Sequence, residues 1–195
     1  MPDAAAKTFS PAFLDAFAQV IGIEGGFTKD PQDKGNWTGG KCGVGILKGT
    51  KYGISAARYP ELDIEHLTLD EARALYWRDY WQELGLDRID DAQIAGELFD
   101  TAVNCGPGEA GKDAQKALRY LGETILVDGI IGKDTIGLLN KWCAKDAPAL
   151  MKAVNGYQFM HYEAIVMAAL ANPADFRERY AHGWLKRIQG YRGKA

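Results

Sequence analysis

The sequence predicts a mainly α-helical fold with one small glycine-rich loop or β-hairpin. Three observations carry that reading. Apolar residues recur at helical spacing from Pro11 onward. Helix-start chemistry stands at the head of several periodic segments. Glycine is dense between Gly35 and Gly53, where Val44 and Ile46 alternate with small residues, which suits turns or a short hairpin and not a helix.

Taken in order, Ser10 followed by Pro11 opens a first helix expected to run to about Glu24. Thr68-Leu-Asp-Glu71 has the form of a capping box, in which the threonine and glutamate side chains satisfy each other's free backbone N–H groups. The helix it opens continues through ALYWRDYWQEL, and Tyr76, Trp77, Tyr80 and Trp81 read as core, since aromatics contribute large buried area. A third helix is expected over about Asp91 to Val103, ended by the breaker cluster Asn104 to Gly108. A fourth runs from Glu109 to Leu121, with Ala114, Ala117, Leu118 and Leu121 inward. Val127-Asp-Gly129 makes a tight turn before a short helix from Lys133 to Trp142. Asp146 with Pro148 starts a long helix that Asn172-Pro173 stops. No internal repeat or low-complexity linker is present.

At 195 residues, with 47% hydrophobic and 25% charged residues, the chain can bury a core without disulfides or metal. Cys42, Cys105 and Cys143 are odd in number and irregularly spaced, so they cannot all pair and form no metal pattern. Free thiols of this kind point to synthesis in a reducing cytosol. The N-terminal residues lack a signal-peptide pattern, and no apolar run is long enough to span a membrane. A formal charge of -3 gives no reason to expect nucleic-acid binding. From Phe176 on, Arg177, Arg179, Lys186, Arg187, Arg192 and Lys194 outnumber Glu178. This excess reads as a solvated helix face, with weak contact to an anionic envelope as the alternative.

Glu24 is the residue most suggestive of chemistry. It continues the stripe of Phe13, Phe17 and Val20 or Ile21, and Gly25-Gly26 follows it at once. A carboxyl group on the packed side of a helix is desolvated, which raises its pKa and keeps a proton available near neutrality. The glycines permit a sharp turn and close approach by another molecule. Asp30 and Asp33 follow in a loop. A half-buried acid facing a polar carboxylate is what glycoside hydrolysis requires. The competing reading is a solvated last-turn glutamate, and for Asp33 a turn-forming aspartate in Asp-Lys-Gly.

EGGF, then DPQD, then GTKYGIS resemble the catalytic segment of glycoside hydrolase family 108, a family of N-acetylmuramidases found as phage endolysins and in bacterial toxin-release systems. RDYW at Arg78 to Trp81, FDTAVNCGPG at Phe99 to Gly108 and VDGIIGKDT at Val127 to Thr135 are similar to later family segments, as is HGWLKRI at His182 to Ile188. The match runs from about Phe9 to Arg192. Phe27 stands where the family usually has Tyr and Lys51 where Asn is common, and 36–49 reads as an insertion. The resemblance implies a lysozyme-like helical fold with the glycine-rich loop next to the active site. It further implies a catalytic region over 9–103 and a helical peptidoglycan-binding region over 104–190, packed into the same globule.

It also implies roles. Glu24 is the expected general acid, Asp33 the carboxylate that activates water, and Thr50 the hydroxyl that helps hold that water, with Ser55 and Thr38 as rivals. Asp30 is the substitute base or a loop-fixing residue, and with Tyr52 and Asn104 it is placed among the substrate-binding residues. Asn104 competes with a reading as a helix cap. Phage lysozymes with this acid–aspartate–threonine arrangement are usually inverting, which favours a water-activating Asp33. The expected reaction is cleavage of the β-1,4 bond between N-acetylmuramic acid and N-acetylglucosamine in peptidoglycan glycan strands, by a monomer, without cofactor or metal. On the same resemblance, a holin-type pore would release the protein from the cytoplasm to the cell wall. A lytic transglycosylase is the nearest alternative, and a non-catalytic wall-binding or phage structural module the next. His66, His161 and His182 are dispersed, so no zinc-ligand pattern offers a rival mechanism.

Overall fold

The computed structural model describes residues 9–21, 26–172, 177–188 and 190–192. It is mainly α-helical, with one two-stranded antiparallel sheet among the described residues. The chain divides into two compact units. Unit 2 is Phe17–Asp79; unit 1 takes the chain before it and everything from Tyr80 on.

The first helix, α1, spans Pro11–Ile21, and the Ser10 hydroxyl accepts the Phe13 N–H at its start. Phe13 and Phe17, the positions placed inward by periodicity, are both buried. Glu24, the expected end of this helix, lies outside the described residues.

Within unit 2, α2 (Leu69–Tyr76) opens on the full capping box. Thr68 Oγ1 accepts the Glu71 N–H while Glu71 accepts the Thr68 N–H at 2.8 Å. The aromatic segment was expected to continue as α-helix, but Trp77–Gln82 widens into a π-helix. Tyr76, Tyr80 and Trp81 are buried, as read from the sequence, whereas Trp77 is half-buried. Phe17 packs edge-on against Tyr76, and the Arg73 guanidinium lies over the Phe17 ring.

Unit 1 is built on three helices, α3 (Ala92–Cys105), α4 (Pro107–Tyr120) and α5 (Lys133–Leu170). Asp91 caps α3 by accepting the Gln93 and Ile94 N–H groups. Only Gly106, at φ +92°, separates α3 from α4, so Cys105 closes the last turn of α3 instead of following it, and Pro107 takes the first position of α4, where a missing N–H costs nothing. Phe13, Trp81 and Phe99 meet edge-to-face with ring centroids 5.4–5.7 Å apart. The span of α5 contains an extended residue at Asp146 and, two residues on, Pro148, which has no N–H to donate. The Asp146 carboxylate accepts the Ala149 N–H across Pro148, so two successive helices join there, where the sequence placed a stop and a new start.

The Val127–Thr135 segment is stapled to α4. Gln115, 1% exposed, accepts the N–H groups of Asp128 and Gly129 and donates to the Asp128 carboxylate at 2.7 Å and the Ile130 carbonyl at 3.0 Å. The backbones touch here: a side chain at Gly111 would meet the Gly129 carbonyl. A cleft of about 840 Å³ is lined in part by Gln115, Leu126, Asp128, Ile130 and Lys133.

Beyond α5, the basic C-terminal segment folds back onto unit 1 as a 3₁₀ turn (Arg177–Tyr180) and the short helix α6 (Ala181–Leu185). Trp184 stacks on Tyr162 at 5.2 Å, and Arg187 pairs with Asp100 at 2.9 Å. Arg187, one of the cations in the basic excess, is thus engaged within the unit. Among the described residues, no helix is long and apolar enough to cross a membrane.

Candidate active site

Asp30, Asp33, Thr50 and Tyr52, four of the residues singled out from the sequence, all lie in unit 2 on a loop system closed by short backbone bridges. Asp33 sits at the N-cap of a 3₁₀ turn, Lys34–Asn36, and its Oδ1 accepts the Gly35 N–H at 2.8 Å. Its other carboxylate oxygen accepts no hydrogen bond from the described residues, and the side chain is exposed. Asp30 has the same local chemistry: Oδ1 accepts the Gln32 N–H at 2.8 Å. Both aspartates therefore order their own turns, as turn-forming aspartates do, and each retains an oxygen for another partner.

Thr50 begins β1 (Thr50–Lys51), which pairs with β2 (Ile54–Ser55) in the register Thr50↔Ser55. The hairpin expected in the glycine-rich stretch thus falls at its C-terminal end. The two-residue connection is Tyr52-Gly53, both with positive φ (+52° and +74°), as a type I′ turn requires. Gly53 is needed twice over, since a Cβ there would collide with the Tyr76 hydroxyl. That hydroxyl donates to the Tyr52 carbonyl at 3.2 Å and so helps hold a left-handed conformation unusual for tyrosine. The Lys51 ammonium lies 5.5 Å from the centre of the half-buried Tyr52 ring.

Thr28 and Thr50 exchange two backbone hydrogen bonds, 2.9 and 2.8 Å, which bring the segment before Asp30 alongside β1. Between them lies Asn36, 0% exposed. Its backbone carbonyl accepts the Lys48 and Gly49 N–H groups, and its own N–H donates to the Asp33 carbonyl. Its side chain donates to the Asp30 carbonyl at 3.0 Å and accepts the Thr50 hydroxyl at 2.7 Å. The structure therefore brings Asp30, Asp33 and Thr50 into one hydrogen-bonded assembly. The sequence gave no pattern for Asn36: a lone Asn between Gly35 and Trp37 looks like loop, and its burial arises from partners up to fourteen residues away. The loop is further closed by Trp37, whose indole N–H donates to the Pro31 carbonyl, and by Cys42, whose thiol donates to the Gln32 carbonyl.

Asn104 belongs to unit 1. It is exposed, and its amide donates to the Asp100 carbonyl at 2.8 Å, a C-terminal contact within α3. Ser55 and Thr38, the rival hydroxyls, have other settings: Ser55 lies across the hairpin from Thr50, and Thr38 Oγ1 accepts the Ile46 N–H. Cys105 is not an activated nucleophile. Burial pushes Cys105 up to about 11, far from the lowered values of reactive cysteines. Among the described residues, no group of three or more His, Cys, Asp or Glu side chains is arranged to hold a metal ion.

Two family models match successive segments of the chain. Residues 17–106 match the family model described as glycosyl hydrolase 108. Residues 110–189 match the model described as predicted peptidoglycan domain. Among solved structures, "Structure of Brucella abortus SagA" superposes with a TM-score of 0.62 at 23% identity, covering 90% of this chain and 88% of that one, a likeness of fold. No curated protein matches.

Proposed function

We propose, from the match of residues 17–106 to the glycosyl hydrolase 108 model, that this chain is a glycoside hydrolase of that family and cleaves the β-1,4 bond between N-acetylmuramic acid and N-acetylglucosamine as an inverting muramidase. Glu24 donates a proton to the glycosidic oxygen as its bond to the anomeric carbon breaks. Asp33 takes a proton from the water that attacks that carbon from the opposite face. Thr50 holds this water, Asp30 shapes the loop and stands as the substitute base, and Tyr52 and Asn104 contact the sugar. The observation that carries the reading is the assembly just described: an aspartate with one oxygen tied to Gly35 and the other open, and a threonine hydroxyl bound into the same loop through Asn36.

The catalytic region is assigned to 9–103 and wall binding to 104–190, the latter supported by the peptidoglycan-domain match. Synthesis in the cytoplasm of a bacterial host, followed by delivery to the wall through a holin-type pore, is consistent with an odd number of cysteines that cannot all pair. The acting form is proposed to be a monomer.

Mass spectrometry of the products from purified peptidoglycan tests the reaction. Hydrolysis gives muropeptides ending in a reducing N-acetylmuramic acid. Predominantly 1,6-anhydro ends would show that no water attacks, and the protein would then be a lytic transglycosylase.

A further inference from the structure

Asn36 reaches Asp30, Asp33 and Thr50 at once, and its side-chain orientation is fixed by its neighbours. The Asp30 carbonyl can only accept, so the atom facing it at 3.0 Å is the amide nitrogen. The atom facing Thr50 at 2.7 Å is then the amide oxygen, which also can only accept. The Thr50 hydroxyl proton is therefore committed to Asn36. What Thr50 Oγ1 offers any further partner is a lone pair.

That assignment matters for a water nucleophile. A water whose two hydrogens are accepted, one by a carboxylate and one by Thr50, keeps a lone pair free for the anomeric carbon. A threonine that instead donated to the water would occupy one of its two lone pairs and draw electron density from the oxygen, weakening the attack. We propose that Asn36 is a positioning residue for hydrolysis, its side-chain carbonyl fixing the Thr50 hydroxyl as an acceptor for the attacking water. The inference rests on the hydrolytic reading above. It applies whether Asp33 or Asp30 takes the proton, because Asn36 is bonded to the backbone carbonyl of each. In the step, the water oxygen forms its bond to the anomeric carbon as the bond to the leaving oxygen breaks. One water proton passes to the aspartate, and the leaving oxygen takes its proton from the general acid.

The test uses the full chain on purified peptidoglycan, with turnover followed by release of reducing ends. Asn36→Ala and Thr50→Val should each lower kcat by about 30-fold to 100-fold and move KM by less than about two-fold, the signature of a contact used in the transition state. The double variant should fall no more than about three-fold below either single variant, since both changes remove one device. Thr50→Ser, which retains the hydroxyl, should restore most of the turnover.

Azide separates positioning from scaffolding. In an Asp33→Ala background azide replaces water, and it carries no proton to be directed. Adding Asn36→Ala there should change azide-driven turnover by less than about three-fold, with a glycosyl azide as product. An equal loss with azide and with water would make Asn36 a scaffold residue and overturn the proposal. So would effects of Asn36→Ala and Thr50→Val that multiply. Should Asn36→Ala fail to fold, the Thr50 pair decides: a folded Thr50→Val enzyme with undiminished kcat overturns the proposal. Reducing-end products alongside that result would leave the hydrolytic reading standing, whereas anhydro products would remove both.

Discussion

Replacing Glu97 with Gln should stabilise the protein at neutral and alkaline pH and flatten its stability profile. Glu97 is on the buried face of α3, 7% exposed, and its Oε1 has no hydrogen-bond partner among the described residues. Desolvation, with the Asp100 charge one turn away adding to it, lifts its pKa from 4.5 to about 8. Below pH 4.5 the group is protonated in both folded and unfolded chains and contributes no pH dependence. Between 4.5 and about 8 the unfolded chain gives up a proton that the folded chain holds, so stability falls as pH rises, and above about 8 the loss is complete. At about 1.4 kcal/mol per pH unit, the ceiling over that window is roughly 5 kcal/mol. Local relaxation and water entry should reduce this to roughly 2 kcal/mol. Urea unfolding at pH 5, 7 and 9 measures it, with the difference between Glu97→Gln and the parent growing across the series. A constant difference at all three values, or one that shrinks toward pH 9, would refute the argument.

Three other outcomes are expected. Glu24→Gln should remove at least about two powers of ten of lytic turnover with the fold retained, Asp33→Asn should be severe and Asp30→Asn milder; kinetics on purified wall would show the aspartates exchanged if that order reverses. Gln115→Leu should cost about 3 kcal/mol, because it removes five hydrogen bonds and strands the Asp128 and Gly129 N–H groups, and thermal unfolding will register it while a shift of under about 2 °C would contradict it. Truncation after Ile188 removes the Tyr191 hydroxyl bond to Asp91 and the paired Gln93–Arg192 bonds, so the unfolding midpoint should fall by about 2–4 °C; an unchanged midpoint with selective loss of killing of intact Gram-negative cells would instead assign the tail to the envelope.

Local chemistry made much of this fold readable. The capping box at Thr68, the Pro11 start, the Gly106 break and the Asp146–Pro148 junction each act within a few residues, and each stands where its motif does. The π-helical widening at Trp77 was not readable, because no local motif distinguishes it from a continuing α-helix. Buried polar groups were the other gap. Asn36, Glu97 and Gln115 look like ordinary loop or surface residues until partners well removed in sequence enclose them. Of the proposed site, the loop aspartates and Thr50 are named through the family resemblance, and their common bond to Asn36 was not readable. Glu24, on which the acid assignment rests, lies outside the described residues.

Helix α3 lies inside the segment matched to the hydrolase family, yet its buried face packs against α4 and α5, which belong to the segment matched to the peptidoglycan domain. The side chains agree: Gln158 of α5 donates to Thr101 and Asp100 of α3, and Arg187 reaches Asp100 from beyond α6. A chimera built by exchanging the segment matched to the peptidoglycan domain at residues 106–110 would therefore not join two self-sufficient parts. It would strip α3 of its α4 and α5 neighbours, take the Gln158 bond from Thr101 and leave the Asp100 carboxylate without its cation. New cell-wall specificity is better sought by changing residues on the outer surface of α4 and α5 than by cutting at the point where the two family segments meet.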